Sequence, residues 1–386
     1  MLSLDTQLLM NAGITLGVSL VLALCFTPVA MYMARILNVM DKPSARKVHV
    51  EPKPYLGGVA IYIAFIVGTL LYTELTQEVI AILIGATIMM LVGALDDKFD
   101  LPAKPRLALQ FGCAFLAVWS GVRVEVIANP FTNEYISLGI FSWPLTILWI
   151  ITTTNTMNFI DGLDGLTAGT TVIVSASLAL VAWRQDAVGV MFMVMALAGS
   201  CLGFLRYNFN PAKIFMGDAG AIFIGYCLGC LTVLGPMKHA AFWTMIAPVI
   251  ALGLPIFDTA IVMFRRIKRG QSPMQADRTH AHHRLFDNGM SQRQTVFWLY
   301  AISICFGVAA IGITSQVGRL AAMAVGILGF FLFLYAHRLD SKKVDQRRTM
   351  DITETMSKHL STTRDYSQEL GGLINSPRDR KEREEK

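Results

Sequence analysis

Apolar residues run through most of the chain in long blocks separated by short polar stretches. A membrane-crossing helix needs roughly 20 mostly apolar residues, fewer where protein shields its ends. On that criterion eleven spans are predicted, at 13–35, 57–73, 78–95, 106–122, 141–156, 166–183, 188–205, 219–235, 241–264, 294–313 and 317–336. The residues before the first span include Asp5 and no Lys or Arg, so the N-terminus does not read as a cleavable signal peptide. Between the fourth and fifth spans, Val-Arg-Val-Glu-Val-Ile, a turn-like Asn129-Pro130 and Tyr135-Ile136-Ser137-Leu138-Gly139 predict a small hairpin. The apolar pattern stops after about 340. Residues 1–340 therefore read as a transmembrane domain, and 341–386 as a charged tail, partly helical at best and disordered at its end. No internal repeat is visible.

Composition agrees with this pattern. Of 386 residues, 54% are hydrophobic and 16% charged, with a mean hydropathy of +0.52. Soluble domains carry about 25% charged residues, so a soluble enzyme or secreted module is excluded. An all-α polytopic membrane protein of ten to eleven transmembrane helices is predicted. The net charge of +6 would suggest nucleic acid in a soluble protein, but in a membrane protein the placement of positive residues carries the information. With eleven spans, 29 of the 33 Lys and Arg fall on one side; Arg123, Arg184, Lys238 and Arg319 are the exceptions. That asymmetry puts the N-terminus outside and the C-terminus in the cytoplasm, and makes the hairpin extracytoplasmic. Basic residues near the membrane suit contact with anionic lipid as well as solubility. The six cysteines all sit in apolar runs and imply no disulfide framework; Cys227 and Cys230, though spaced as half a zinc site, read as helix-packing residues.

Five polar clusters interrupt the apolar blocks: Asp41–Gly58, Asp96–Arg106, Asn155–Asp164, Arg206–Asp218 and Arg265–Arg293. All lie on the predicted cytoplasmic side. A transporter places ionisable groups near the bilayer midplane, whereas here the chemistry gathers on one face. Asp96 and Asp97 repel unless solvated or neutralised by a cation. Asp161 and Asp164 are spaced i, i+3, as are Asn155 and Asn158, which gives one polar face if that stretch is helical. Asp218 precedes an apolar helix and reads either as an N-cap or as a ligand. Asp258 stands about 10 Å inside the membrane edge at 1.5 Å per residue, facing the bundle interior. His280, His282 and His283 form a triplet beside Arg278 and Arg284. Carboxylate oxygens suit Mg²⁺ or Mn²⁺ better than zinc, and Arg with His suits an anion such as a diphosphate. There is no Walker lysine loop and no Gly-x-Gly-x-x-Gly. The residues therefore point to metal-assisted phosphoryl transfer at the inner leaflet, without ATP.

These segments resemble the polyprenyl-phosphate N-acetylhexosamine-1-phosphate transferases. The resemblance rests on Asp41-Lys-Pro-Ser-Ala-Arg46-Lys-Val-His49 with Gly57-Gly58; Gly93-Ala-Leu-Asp96-Asp97; Asn155–Gly165; Tyr207-Asn208 through Lys213-Ile-Phe-Met-Gly217-Asp218-Ala-Gly220; and Ser272-Pro-x-x-x-Asp277-Arg278-x-His280-Ala-His282-His283. It implies transfer of a sugar 1-phosphate from a UDP-sugar to undecaprenyl phosphate, with release of UMP and a need for Mg²⁺. It further implies that Asp218, assisted by Asn158, ligates the metal, and that Asp97 deprotonates or orients the acceptor phosphate beside Asp96. Asp161 and Asp164 would belong to the catalytic surface. Lys104, Arg106 and the His280, His282 and His283 loop, with Arg278, would hold the diphosphate, and Asn155, Asn208 and Lys213 would contact substrate. Ala281 interrupts the three consecutive histidines typical of the muramoyl-pentapeptide branch, so UDP-N-acetylglucosamine is the expected donor. The alternatives are the muramoyl-pentapeptide reaction of peptidoglycan synthesis and, from another class, a lipid-linked-sugar transporter. The expected partners are the two substrates, membrane lipid and a second copy of the chain in a homodimer, with no nucleic acid.

Overall fold

The computed structural model describes residues 2–41, 52–129, 134–235, 237, 242–270, 280–315 and 318–339, with side chains from residue 5 onward. The segment around Arg46 and His49, the one holding Asp277 and Arg278, and the tail expected at 341–386 lie outside the described residues.

The chain is almost wholly helical. In order it forms α1 (Leu2–Ile36), β1 (Met40–Asp41), β2 (Lys53–Pro54), α2 (Gly57–Tyr72), α3 (Gln77–Phe99), α4 (Ala103–Trp119), β3 (Val126–Ala128) and β4 (Tyr135–Ser137). There follow α5 (Ser142–Ile160), α6 (Leu166–Arg184), α7 (Val188–Asn208), α8 (Gly217–Leu234), α9 (Phe242–Ala251), α10 (Gly253–Lys268), α11 (Ala281–Asp287), α12 (Gln292–Ile313) and α13 (Arg319–Arg338). The expected hairpin is present: β3 and β4 pair antiparallel with Val126 opposite Ser137 and Ala128 opposite Tyr135. A second ribbon, β1 with β2, closes Asp41 onto Lys53.

Each of the eleven expected apolar segments falls on helix. Among the described residues, however, only seven single helices are long and apolar enough to cross a membrane: α1, α3, α6, α7, α8, α12 and α13. An eighth candidate is the segment expected at 241–264, which is broken rather than continuous, with α9 and α10 meeting at 74°. Pro248 and Pro255 flank the break at Leu252, and a proline removes a helical N–H and disfavours helix in the residue before it. α2 and α4 are short, with 16 and 17 residues. α5 ends in the polar run Thr152-Thr153-Thr154-Asn155-Thr156, which shortens its apolar stretch. The architecture is that of a multi-pass helical membrane protein.

The buried centre is α8. From Ala219 to Val233 every residue is buried, because α2, α3 and α5 surround the helix. Hydrophobicity does not drive helices together inside lipid, so close backbone approach has to. α5 presses against α8 at Gly225 and Gly229, where any side chain would collide with Thr154 and Thr153. α7 meets α1 in the same way, with Gly199 and Gly203 against the backbone of Leu16 and Leu20. Cys227 and Cys230 are buried free thiols within α8, the packing role expected of them.

Candidate active site at one end of the bundle

The polar clusters come together where α3, α5 and α7 end and α4, α6 and α8 begin. The first turn of α8 organises the group. Gly217 has φ +71°, a conformation that side-chain-bearing residues rarely adopt. It exposes the N–H groups of Asp218 and Ala219, which donate to Asp97 Oδ1 (2.8 Å) and Oδ2 (3.2 Å). Asp97 on α3 therefore caps α8 from outside, at the end where the helix dipole favours an anion. This fit requires α8 to lie almost in contact with its neighbours. A Cβ on Gly58 of α2 would overlap the backbone of Gly220, and one on Gly93 of α3 would overlap Asp218 and Ala219.

Asp218 is not the N-cap that its sequence position allowed. Met216 occupies that position without a side-chain cap, and both Asp218 oxygens turn sideways. Oδ1 accepts from Asn158 Nδ2 on α5 (2.8 Å), and Oδ2 accepts from Arg106 Nη1 on α4 (2.9 Å). The same Arg106 nitrogen donates to Asp96 Oδ2, while Asp96 Oδ1 accepts from the Leu101 N–H at 2.7 Å. A single guanidinium thus sits between two carboxylates that would otherwise repel. Among the described residues no three His, Cys, Asp or Glu side chains cluster as a self-sufficient metal site. The donor set of Asp218, Asp96 and Asn158 still fits a hard cation. Mg²⁺ is typically held by one or two carboxylates plus substrate phosphates and water, and the pocket already accommodates a positive charge.

Other expected residues have structural partners. The stretch 161–165 is a turn between α5 and α6, not helix, so the expected single face of Asn155, Asn158, Asp161 and Asp164 does not form. Asp164 Oδ2 accepts from Asn210 Nδ2 (3.0 Å) and the Ala212 N–H (2.9 Å), clamping the loop that leads to α8. Asn208 joins two loops, accepting from Gly165 N–H at 3.0 Å and donating to the Ile214 carbonyl at 2.9 Å. Asn155 donates to Gln110 on α4 (2.7 Å), one helical turn from Asn158 and pointed elsewhere. Lys104 and Lys213 are exposed at the rim. Asp161 is half-buried; burial pushes its carboxyl up to about 6, with the Asp164 charge acting in the same direction.

The histidines approach from the other side of this turn. His280 is held by Asp258, and its ring stacks on that of His282, 5.7 Å away. The His283 ring lies 4.2 Å beyond. His282 is buried, its Nε2 has no hydrogen-bond partner, and it lies against Gly162, where a Cβ would strike it. Burial and then the neighbouring His283 depress its pKa, keeping it uncharged. Arg278 is outside the described residues.

Four residues escaped sequence reasoning: Tyr55, Gln110, Asn210 and His337. Tyr55 follows the β1–β2 ribbon, and its phenol is pushed well up by burial and then by Asp41, Asp97 and Asp218. Gln110 offered a signal as a lone amide within the apolar run 106–122. His337 offered none, being the last-turn residue of an apolar helix.

The comparisons with known proteins bear on this arrangement. The model of glycosyl transferase family 4 matches residues 79–236, from α3 to the end of α8. The chain is 40% identical over 322 residues to the probable undecaprenyl-phosphate N-acetylglucosaminyl 1-phosphate transferase of Bacillus subtilis (strain 168), covering 83% of this chain and 89% of that one. It is 33% identical to the decaprenyl-phosphate N-acetylglucosaminephosphotransferase of Mycolicibacterium smegmatis, over 71% of this chain and 74% of the relative. The undecaprenyl-phosphate alpha-N-acetylglucosaminyl 1-phosphate transferase of Escherichia coli (strain K12) is 28% identical, over 83% and 91%. Such agreement along the length of the bundle, including every helix that contributes to the Asp97–Asp218–Arg106 cluster, means that the chain belongs to glycosyl transferase family 4, the polyprenyl-phosphate sugar-1-phosphate transferases that its motifs resemble.

Proposed function

We propose that this protein transfers N-acetylglucosamine 1-phosphate from UDP-N-acetylglucosamine to undecaprenyl phosphate, releasing UMP, at the cytoplasmic face of a bacterial inner membrane. The observation that carries the reading is the Asp218 carboxylate, held between Asn158 and Arg106 beside the Asp96–Asp97 pair at one end of a lipid-embedded bundle. The relatives' names supply the substrate classes, and the interrupted histidine triplet favours N-acetylglucosamine over a muramoyl-pentapeptide donor.

In this reading Asp218, Asp96 and the Asn158 amide oxygen would hold Mg²⁺ or Mn²⁺, which would supply neutralisation of phosphate charge. Arg106, placed between Asp96 and Asp218, has donors that would suit a phosphate oxygen at the same place. Asp97, with both oxygens on α8 N–H groups, acts by fixing Asp218 and orienting the acceptor. Asp161 and Asp164 shape the donor side, with Asp164 fixing the loop after α7. His280, His282 and His283 face the diphosphate, with Lys104, Lys213 and Arg278 at the rim. The acceptor phosphate is already an anion, so direct displacement at the donor's β-phosphorus needs positioning and screening more than a covalent relay through an aspartyl group. The transporter reading is disfavoured because the ionisable side chains gather at one end instead of along a path through the bilayer.

The test is UMP release by detergent-purified protein given undecaprenyl phosphate and either UDP-N-acetylglucosamine or UDP-N-acetylmuramoyl-pentapeptide, with and without Mg²⁺. Metal-dependent release with the first donor alone is expected. Release with the second would move the protein to the peptidoglycan branch, and silence with both would overturn the reaction.

A further inference from the structure

The motifs that carry the resemblance to the family end near residue 293, yet the histidine helix α11 is tied to the last described helix, α13. The link is Asp258 on α10, a carboxylate 2% exposed. Its Oδ2 meets His280 Nδ1 at 2.6 Å. Its Oδ1 meets His337 Nε2 at 2.9 Å and the Ala281 N–H at 2.8 Å. A buried carboxylate is costly unless donors surround it, and losing one of few partners is strongly felt.

Proton positions follow from the partners. Arg265 Nη1 lies 3.3 Å from His337 Nδ1, and a guanidinium has only N–H donors. His337 Nδ1 therefore accepts, and Nε2 carries the proton that it donates to Asp258. His280 Nδ1 likewise points its N–H at the other oxygen, which leaves His280 Nε2 as the nitrogen turned away from the carboxylate. A carboxylate that fixes a histidine's tautomer and ring orientation in this way is a recurrent device in sites where imidazole does chemistry. The end of α13 is gripped from both partners: the His337 carbonyl accepts from Arg284 Nη1 of α11 (2.8 Å) and from Arg265 Nη2 of α10 (3.3 Å). From His280 the order passes by ring stacking to His282, whose partnerless Nε2 lies against Gly162 in the Asp161–Asp164 turn.

We propose that His337 is a positioning residue: through Asp258 it fixes the orientation of His280 and the seat of α11 against the Asp161–Asp164 turn, and so the binding of the nucleotide-sugar donor. This rests on the reading that His280 and His282 face the donor diphosphate. The last described helix thereby determines the geometry of the turn between α5 and α6.

The test compares His337→Leu, which keeps bulk and removes both nitrogens, with His337→Gln, whose amide can still donate to Asp258. Two readouts are taken on the purified full chain: hydrogen–deuterium exchange across Ala281–Asp287, and the separate kcat and KM for UDP-N-acetylglucosamine. His337→Leu is expected to speed exchange in α11 and to raise the donor KM about tenfold with little change in kcat, the signature of lost ground-state positioning. His337→Gln is expected to stay near wild type in both. In the double variant with His280→Ala, His337→Leu is expected to add nothing further to KM. Unchanged exchange in His337→Leu overturns the proposal, as does a Gln variant as impaired as Leu, or additivity in the double variant. Failure of the wild type to use any UDP-sugar would count against the proposed reaction alone, because the exchange readout still decides the coupling.

Discussion

Asp218 is held through both of its oxygens, and its chemistry is read from what surrounds it. One oxygen takes an amide N–H and the other a guanidinium, so both oxygens are held in place where a cation could join them. Asp218→Asn keeps the shape and removes the carboxylate. Turnover is expected to fall by about a thousandfold or more, the range seen when a transition-state electrostatic contact is lost. Mn²⁺ bound to the purified protein, followed by electron paramagnetic resonance, is expected to disappear with it. Retained metal binding in an inactive variant would move the cation elsewhere. Asp161 makes a second prediction. Its carboxyl is pushed up to about 6 by burial and by Asp164, so it is protonated below that pH and charged above it. If the charged form serves the reaction, kcat/KM rises with pH through an acid limb near 6. A limb near 4 would show that the reaction depends on an ordinary carboxylate and not on Asp161 in this setting, and a profile flat through 6 would show that the charge on Asp161 has no part in it. At this scale the sequence was legible in residue types but not in partners. Asp96, Asp97, Asn158 and Asp218 stood out as polar groups at ends of apolar runs, and they meet. Asn155, Asp164 and Asn208 stood out equally, and bond instead to Gln110, Asn210 and backbone. A motif spacing carries no information on which of two nearby loops an amide will join.

The helices were legible as apolar runs, because lipid demands them and nothing else in the chain satisfies their backbone groups. Less legible was the break at Leu252, where the apolar run continues unbroken and only Pro248 and Pro255 interrupt the hydrogen bonding. The turn at 161–165 was hidden too, since i, i+3 spacing looks the same in a helix and in a turn that follows one. The most consequential element contact, α8 wedged between α2 and α3, was present only as the glycines Gly58 and Gly93. These place the α8 N–H groups within reach of Asp97. Gly58→Val is therefore expected to push α8 away from α2, at a cost in the overpacking range of roughly 1–3 kcal/mol or more, and to lower turnover at least tenfold. Gly112→Val on α4, where a Cβ would meet nothing within 4 Å, is the matched control and is expected to leave both turnover and thermal midpoint near wild type. Equal behaviour of the two variants would remove the wedge from the account of the site.

At the scale of the whole molecule, two independent patterns have to agree. One is the distribution of positive charge, with 29 of 33 Lys and Arg on one side of the predicted spans. The other is the set of contacts that gathers Asp97, Arg106, Asn158, Asp164, Asn210, Asp218 and His282 at a single end of the bundle. The first pattern is a rule about insertion and contains no chemistry; the second is chemistry and contains no membrane. They coincide, since Lys104, Arg106, Lys213 and the basic end of α10 all stand at the end where the carboxylates meet, while the β3–β4 ribbon belongs to the opposite helix ends, after α4 and before α5. A nucleotide sugar made in the cytoplasm can reach the cluster only if that end faces inward, so orientation and proposed function stand or fall together. Single cysteines report on this directly. Tyr135→Cys, on the exposed β4 strand, and Lys213→Cys, at the exposed rim of the site, are each placed in a background lacking the exposed Cys25. In intact cells a membrane-impermeant maleimide is expected to label the Tyr135→Cys protein and to leave Lys213→Cys unlabelled until the membrane is opened. Labelling of Lys213→Cys in intact cells would place the carboxylate cluster outside, where no UDP-sugar is supplied, and the transferase reading would fall with the topology.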